Sequence, residues 1–449
     1  MPVHPIEFRY YNSEMRDIFT EENKLLMWLK VEAALSQAHA KLGNIPKEAA
    51  EEINKKASLK YVKLDRVKAI DREIHHDLMA MVRAFSEQCK GDAGKYIHLG
   101  ATSYDIEDTA TAIMLSEALK VLKEKLTTSL ELLVKLAKEN KNRVCVGRTH
   151  GQQALPTTYG MRFGVWGAEI ARHLDRLEDI LPRIKVGKMS GAVGTMASFG
   201  DKGIQIQNEV MEILGLKPVY IANQVVQRDR HAEVILFTCL VAGTIDKIAR
   251  EMRILQRTEI AEMFEPFKKK QVGSSTMPHK RNPHKAERLC SISRVLKSNA
   301  YIAMENMTLE DERDLTNSAS ERVLFPENFI LLDFMLSQLN ALLSGPEFSE
   351  KNIERNLNLT KGAFLAEKIM MKLVEKGIGR QEGHEILRKA AIKARENDIH
   401  MKEILMDVDE VNSNFSEDEM EEMLDPANYI GKAVEQVENL VDIISEKYL

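Results

Sequence analysis

The sequence predicts an all-α protein, with a long central helix bundle between smaller helical N- and C-terminal domains. Three observations lead there. Aromatic residues make up only 6% of the 449 residues while Met numbers 22, and helical cores are filled by Leu, Ile, Ala and Met where sheets draw on aromatic and β-branched side chains. From Asp108 to about Lys141 there is no Gly or Pro, and Ile113, Leu115, Leu119, Leu122, Leu126, Leu130 and Leu133 keep the helical period. At ~1.5 Å per residue such a helix runs on the order of 50 Å, a length that needs a bundle. Third, the Gly and Pro residues punctuate the chain between such stretches, and Gly345-Pro346 is a boundary signal. The expected division is 1–108 for the N-terminal domain, 109–345 for the bundle and 346–449 for the C-terminal domain.

In order, Glu21 to Leu42 places Leu25, Trp28, Leu35 and Leu42 on one helical face and stops at Gly43-Asn44-Ile45-Pro46. Asp71 to Gln88 reads as a second amphipathic helix carrying His75, His76 and Asp77. Neighbouring helical histidines point about 100° apart, so they do not form a metal face, and one His beside a carboxylate is the more useful pair. YIHLGATSYDIEDT, from Tyr96 to Thr109, sets His98, Thr102 and Ser103 before a helix start. There free N–H groups either take an ordinary cap or favour an anion. RTHGQQALPTTYG, Arg148 to Gly160, breaks the long helix and exposes His150, and another helix follows from near Gly160 to Pro182. Further helices are expected at about His231 to Met263, Pro283 to Met307 and from about Pro326. The polar stretch Asp311 to Arg322 reads by default as a solvated connection, although Arg313 and Arg322 beside serines suit carboxylates or a phosphate. The acidic run Glu417 to Asp425 reads as a solvated face.

Composition excludes several functions. A formal net charge of −5 argues against a general nucleic-acid binder, which needs many phosphate contacts from Lys and Arg. Cys89, Cys145, Cys239 and Cys290 form no CxxC pair, so neither a zinc site nor a disulfide framework is expected, and a reducing cytoplasm is. No apolar run suggests a signal peptide or a membrane span. SGAVGTMASFG, Ser190 to Gly200, is glycine-rich but lacks a dinucleotide fingerprint and a P-loop lysine. The chemistry expected below uses proton transfer and charge stabilisation, so no cofactor or metal is expected.

VGSSTMPHKRNPHKAER, Val272 to Arg288, must be a loop, because Gly273, Ser274, Ser275, Pro278 and Pro283 oppose a regular element. It carries hydroxyls in a cluster of positive charge that includes Lys268, Lys269, Lys270, Lys280, Arg281 and Lys285. Such a cluster suits an anionic substrate. GSS alone is a weak signal, but the whole pattern GSSxMPxKxNP resembles the signature of the fumarase/aspartase superfamily, lyases that release fumarate from a succinyl group.

TSYDIEDTA, RTHGQQALPTTYG with SGAVGT, and the signature loop resemble the three motif regions of that superfamily. Arg9-Tyr10, His76-Asp77, QVVQRDRHAE, ERDLTNSASER and DPANYIGKA place the chain beside the members that act on succinylated purine nucleotides. The resemblance implies a fumarase/aspartase-like fold and a homotetramer with active sites shared between subunits. It implies cleavage of adenylosuccinate to AMP and fumarate, and of the succinylated carboxamide intermediate of purine synthesis. By the same resemblance Ser275 is the general base, His150 the general acid and Glu287 its orienting partner. Lys280 and Asn282 stabilise the carboxylate that takes on the carbanion's charge. His76 and His98 position substrate, as do Arg9, Tyr10, Thr102, Ser103, Gln224, Arg313, Ser318 and Arg322, chiefly by holding phosphate and carboxylates. A serine base at neutral pH requires cationic neighbours and backbone N–H groups, and a Gly-rich loop start allows closure over substrate.

Asn317 and Ala319 depart from the family pattern, in which a histidine and a second serine are frequent at these positions. Two rival readings are a carboxymuconate cycloisomerase, which shares GSSTMPHKRNP and GATSxD, and a non-catalytic scaffold of the same fold. His76-Asp77 and Arg9-Tyr10 count against the first, and Ser275, His150 and Lys280 together count against the second.

Overall fold

The computed structural model describes residues 3–267 and 276–449. Its architecture is all-α with a long central helix bundle, and smaller helical regions lie toward both ends of the chain. The principal elements are α1 (Glu21–Lys41), α2 (Leu64–Ile74), α3 (Asp77–Ser86) and α4 (Ser103–Glu139). A hairpin follows, β1 (Val144–Thr149) and β2 (Gln152–Thr158). Then come α5 (Tyr159–Ile184), α6 (Asp229–Leu255), α7 (His284–Glu305) and α8 (Ser318–Leu343). The longest helix, α4, has 37 residues, or roughly 55 Å of axis. None of the helices among the described residues is long and apolar enough to cross a membrane, and no disulfide joins any of the four cysteines among the described residues.

Contacts within the chain divide it into two compact units. The first comprises residues 1–126, 173–245 and 291–337. Its N-terminal core joins Leu25, Trp28, Leu29 and Leu35 of α1 to Leu78, Met81 and Phe85 of α3 and to Ile106 and Met114 of α4. Helix α1 begins where the Thr20 hydroxyl accepts a hydrogen bond from the Asn23 N–H at 3.2 Å, with Glu21 and Glu22 favouring the dipole in its first turn. Leu29 is fully buried, and cutting it to Ala would cost ~2–5 kcal/mol.

Charge, as well as apolar packing, fixes the start of α4. The buried Asp105 carboxylate is ion-paired with the fully buried Lys188. It also accepts from the backbone N–H groups of Thr102, Ser190 and Gly191 at 2.9, 2.9 and 3.0 Å. The glycine-rich segment is thereby tied to the helix start. Gly194 within that segment (φ 84°) passes so close to Ala222 that an added Cβ would lie 2.0 Å from its carbonyl oxygen. Three residues along α4, Asp108 accepts two bonds from the Arg228 guanidinium at 2.8 and 2.9 Å. Arg228 also reaches Glu321 of α8 at 3.1 Å. Burial disfavours the charged form of Asp108, but the Arg228 cation outweighs it and holds the carboxyl below its usual range.

The second unit comprises residues 127–172, 246–290 and 338–449. The antiparallel hairpin pairs Val144 with Thr158 and Thr149 with Gln152. Buried Glu262 anchors it, accepting from the Tyr159 hydroxyl at 2.7 Å and the Asn356 amide at 2.8 Å and pairing with Arg148. The C-terminal part has its own core of Leu365, Ile369, Leu373, Leu387, Leu405 and Met420.

Several expected boundaries change. The helix expected from Asp71 to Gln88 is two helices, because His75 adopts φ 53°, ψ 42° and ends α2 in the left-handed region. The segment after Arg148 is a strand pair rather than a simple break. Helix α8 starts at Ser318, eight residues before Pro326, so the end of the expected solvated connection is helical. Pro326 lies inside it, where its missing N–H gave the signal of a start. Helix α6 stops at Leu255.

Candidate active site

Within the first unit a cavity of about 580 Å³ opens between the α2–α3 junction, the start of α4 and the start of α8. His76, Ser103, Arg313, Ser318 and Arg322, all singled out in the sequence, line it together. His76 owes its place to helix capping: it is the N-cap of α3, and its Nδ1 accepts from the Met79 N–H at 3.3 Å. A ring held this way carries its proton on Nε2 when neutral. Beside it, Asp77 accepts from Arg322 Nη2 at 2.8 Å.

Arg313 is one of two arginines that line the cavity. Its guanidinium lies 3.6 Å from the centroid of the Tyr104 ring, and Nη1 donates to Gln224 Oε1 at 2.9 Å. Gln224 in turn donates to the Ala192 carbonyl at 2.9 Å. The Nε and Nη2 atoms of Arg313 are buried and have no hydrogen-bond partner among the described residues. A planar cation held on one side by an aromatic face, with donors unspent, is suited to a phosphate or carboxylate. Tyr104 also donates to Ser318 Oγ at 3.3 Å. Burial, and then the nearby Glu107 carboxylate, push its phenol up to about 12, so it stays a neutral donor at physiological pH.

Other expected residues lie apart from this cavity. His98, in the left-handed region at φ 64°, is held through its N–H and Nδ1 by buried Glu32 at 2.9 and 2.7 Å. Burial opposes the imidazolium, yet Glu32 prevails and raises the His98 pKa. Thr102 uses its N–H on Asp105. Arg9 is exposed and donates to the Tyr10 hydroxyl at 3.3 Å, while the Tyr10 ring packs 5.4 Å from Phe334. Of the two departures from the family pattern, Asn317 is fully buried outside the cavity lining, with both side-chain amide atoms lacking a partner among the described residues, whereas Ala319 does line the cavity.

The second unit holds the other candidates. His150 and Gly151 form the two-residue turn of the β1–β2 hairpin, both with positive φ, 54° and 75°. A hairpin of this twist demands that conformation, and it leaves the imidazole exposed at the tip. Glu287 is exposed in the first turn of α7, and among the described residues no hydrogen bond joins it to His150. Lys280 is exposed and Asn282 half-buried just before α7. Ser275 lies outside the described residues, as do Ser274 and Lys268 to Lys270.

Sequence reasoning missed Tyr104, Glu107, Asp71 and His75 as cavity residues. A signal existed for two of them, since Ser103 and Tyr104 precede Glu107 by four and three residues, the spacings that bring side chains together on a helix surface.

The family model described as Lyase matches residues 7–296, and that described as Adenylosuccinate lyase C-terminus matches residues 362–440. Adenylosuccinate lyase of Pyrococcus abyssi is 54% identical over 446 residues, covering 99% of each chain. The chain belongs to the adenylosuccinate lyase family. The enzyme of that name from Methanocaldococcus jannaschii is 52% identical, across 100% of this chain and 97% of its own. Among solved structures, the 3-carboxy-cis,cis-muconate lactonizing enzyme of Pseudomonas putida matches with a TM-score of 0.91 over 98% of this chain and 99% of that one, at 29% identity. The fold is thus shared with the rival activity, while sequence identity is far higher to adenylosuccinate lyases than to that structure.

Proposed function

We propose that the chain acts as a carbon–nitrogen lyase of purine nucleotide biosynthesis, an adenylosuccinate lyase. It eliminates fumarate from adenylosuccinate to leave AMP, and from succinylaminoimidazole carboxamide ribotide to leave the carboxamide. The observation that carries this reading to the site is the Arg313 guanidinium, stacked on Tyr104 with two buried N–H donors unspent, in a cavity that also offers Arg322 and Ser318. Those groups suit the phosphate that both substrates carry.

In the reaction a proton leaves the succinyl β-carbon, the adjacent carboxylate takes on the negative charge, the C–N bond breaks and the nitrogen gains a proton. Ser275 removes the first proton and His150 supplies the second. Lys280 and Asn282 face the carboxylate as its charge grows. The hairpin supports the role of His150, because its turn conformation presents the ring to solvent or to a partner instead of packing it.

The working enzyme is a homotetramer whose sites combine residues of different subunits. Exposed apolar side chains on the long helices support assembly: Val295 and Tyr301 of α7 are 40% and 65% exposed, and Leu240 of α6 is 53% exposed. Residues of this kind on helix faces mark contact surfaces. Incubation with adenylosuccinate tests the activity. Fumarate and AMP released in equal amounts support it, and turnover of a carboxymuconate without fumarate from adenylosuccinate overturns it.

A further inference from the structure

Three acids lie close together at the start of α4. Asp105 is spent on Lys188 and Asp108 on Arg228. Glu107 is different. Among the described residues it has neither a hydrogen bond nor an ion pair, and it lines the 580 Å³ cavity beside Arg313 and Arg322. It also lines an adjoining cavity of about 300 Å³ that is walled by Trp28 and Phe325. A carboxylate in an anion-binding cavity is an electrostatic fault if it stays charged when a phosphate arrives. A neutral carboxylic acid there is instead a hydrogen-bond donor.

We infer that Glu107 takes up a proton when the nucleotide phosphate enters this cavity and, as the neutral acid, donates a hydrogen bond to it. The inference rests on the reading that the nucleotide occupies this cavity.

The charges around Glu107 support the same direction. From α1 come Glu21 and Lys24, and from α2 Asp71. At the α2–α3 junction lie His75, His76 and Asp77. Its own helix presents Tyr104 and Asp108, and α8 with the loop before it presents Arg313, Glu321 and Arg322. Two of the three cations are committed. Arg322 is paired with Asp77 at 2.8 Å, and Lys24 lies over the Trp28 ring at 4.4 Å and 3.9 Å from Asp77. Although part of its surface faces the cavity, burial and then the Asp77 carboxylate push the Glu107 carboxyl up to about 7, against the opposing pull of Lys24 and Arg322. The free protein therefore holds Glu107 near half-protonated at neutral pH, and an arriving dianion tips it to the neutral form.

The test is calorimetric titration of the protein with AMP at pH 7.0 in two buffers of different ionisation enthalpy. Comparison of the two heats yields the protons taken up per AMP bound. For the wild type we expect about half a proton more than for Glu107→Gln, which keeps the side-chain length and a donor but does not titrate. Proton changes that do not depend on Glu107 are common to both proteins and cancel. Glu107→Met replaces Glu107→Gln if the latter fails to fold, and it too must lose the uptake. Uptake equal to the wild type in either folded variant overturns the inference. Arg313→Ala separates this from the underlying reading: AMP bound by Arg313→Ala as tightly as by the wild type would mean that the nucleotide sits elsewhere.

Discussion

Arg322 donates from Nη2 to Asp77 Oδ2 at 2.8 Å, joining the second turn of α8 to the first residue of α3. This pair holds the Arg322 guanidinium at the cavity wall. Burial works against the Arg322 cation, but Asp77 and Glu107 outweigh it and keep its pKa raised. Arg322→Ala is expected to raise KM for both succinyl nucleotides by at least ~10-fold with kcat changed far less, the pattern of lost ground-state binding. Steady-state kinetics with each substrate check this. A collapse of kcat at constant KM would place Arg322 in the chemistry instead.

The buried Asp108–Arg228–Glu321 network makes a stability prediction. Arg228→Met leaves two buried carboxylates without their cation and is expected to lower stability by about 3–5 kcal/mol, read from urea unfolding. The pH dependence has a definite sign. Burial opposes ionisation of Asp108 and Glu321, yet Arg228 and His231 hold both pKa values below their usual range. A carboxyl depressed in the folded state stabilises above its unfolded pKa of about 4 and loses that contribution as pH falls through the lower folded value. The wild-type advantage over Arg228→Met should therefore be largest toward neutral pH and shrink steadily as the pH falls and the carboxyls of the variant, no longer held down by the cation, take up protons. An advantage that grew in acid would contradict the network's role.

How much of this was legible in the sequence depends on the kind of signal. Apolar periodicity made α1 and α4 readable, because Leu25, Trp28 and Leu35 or Leu115, Leu122 and Leu126 fall on buried faces. The break at His75 was not readable, since a left-handed residue in EIHHDL carries no Gly or Pro to announce it. The β1–β2 hairpin was missed because Pro156 and two Gly residues suggested a loop, although His150-Gly151 between apolar stretches is a short turn signal. Among the candidate site residues, motif resemblance picked out His76, Ser103, Arg313, Ser318 and Arg322, which share a cavity. Glu107 escaped notice because its importance comes from which neighbours are already paired, a property of the folded arrangement.

The serine pair supplies a kinetic prediction independent of binding. Ser275→Ala should lower kcat by at least ~10²-fold with little change in KM, as expected when a transition-state role is lost. Ser274→Ala should do much less. Single-substitution kinetics on both variants decide, and the opposite ranking would exchange the two roles.

The central claim, that one working site draws His150 and Ser275 from different copies of the chain, is tested most directly by mixing two inactive variants. His150→Ala and Ser275→Ala proteins are combined in equal amounts under conditions that allow subunit exchange, and fumarate release from adenylosuccinate is measured. With random exchange each of the two contributing chains is intact in about half of the sites, so roughly a quarter of wild-type activity should return. If both residues came from one chain, every site would carry one defect or the other. Confirmed exchange with no recovered activity would contradict the shared site.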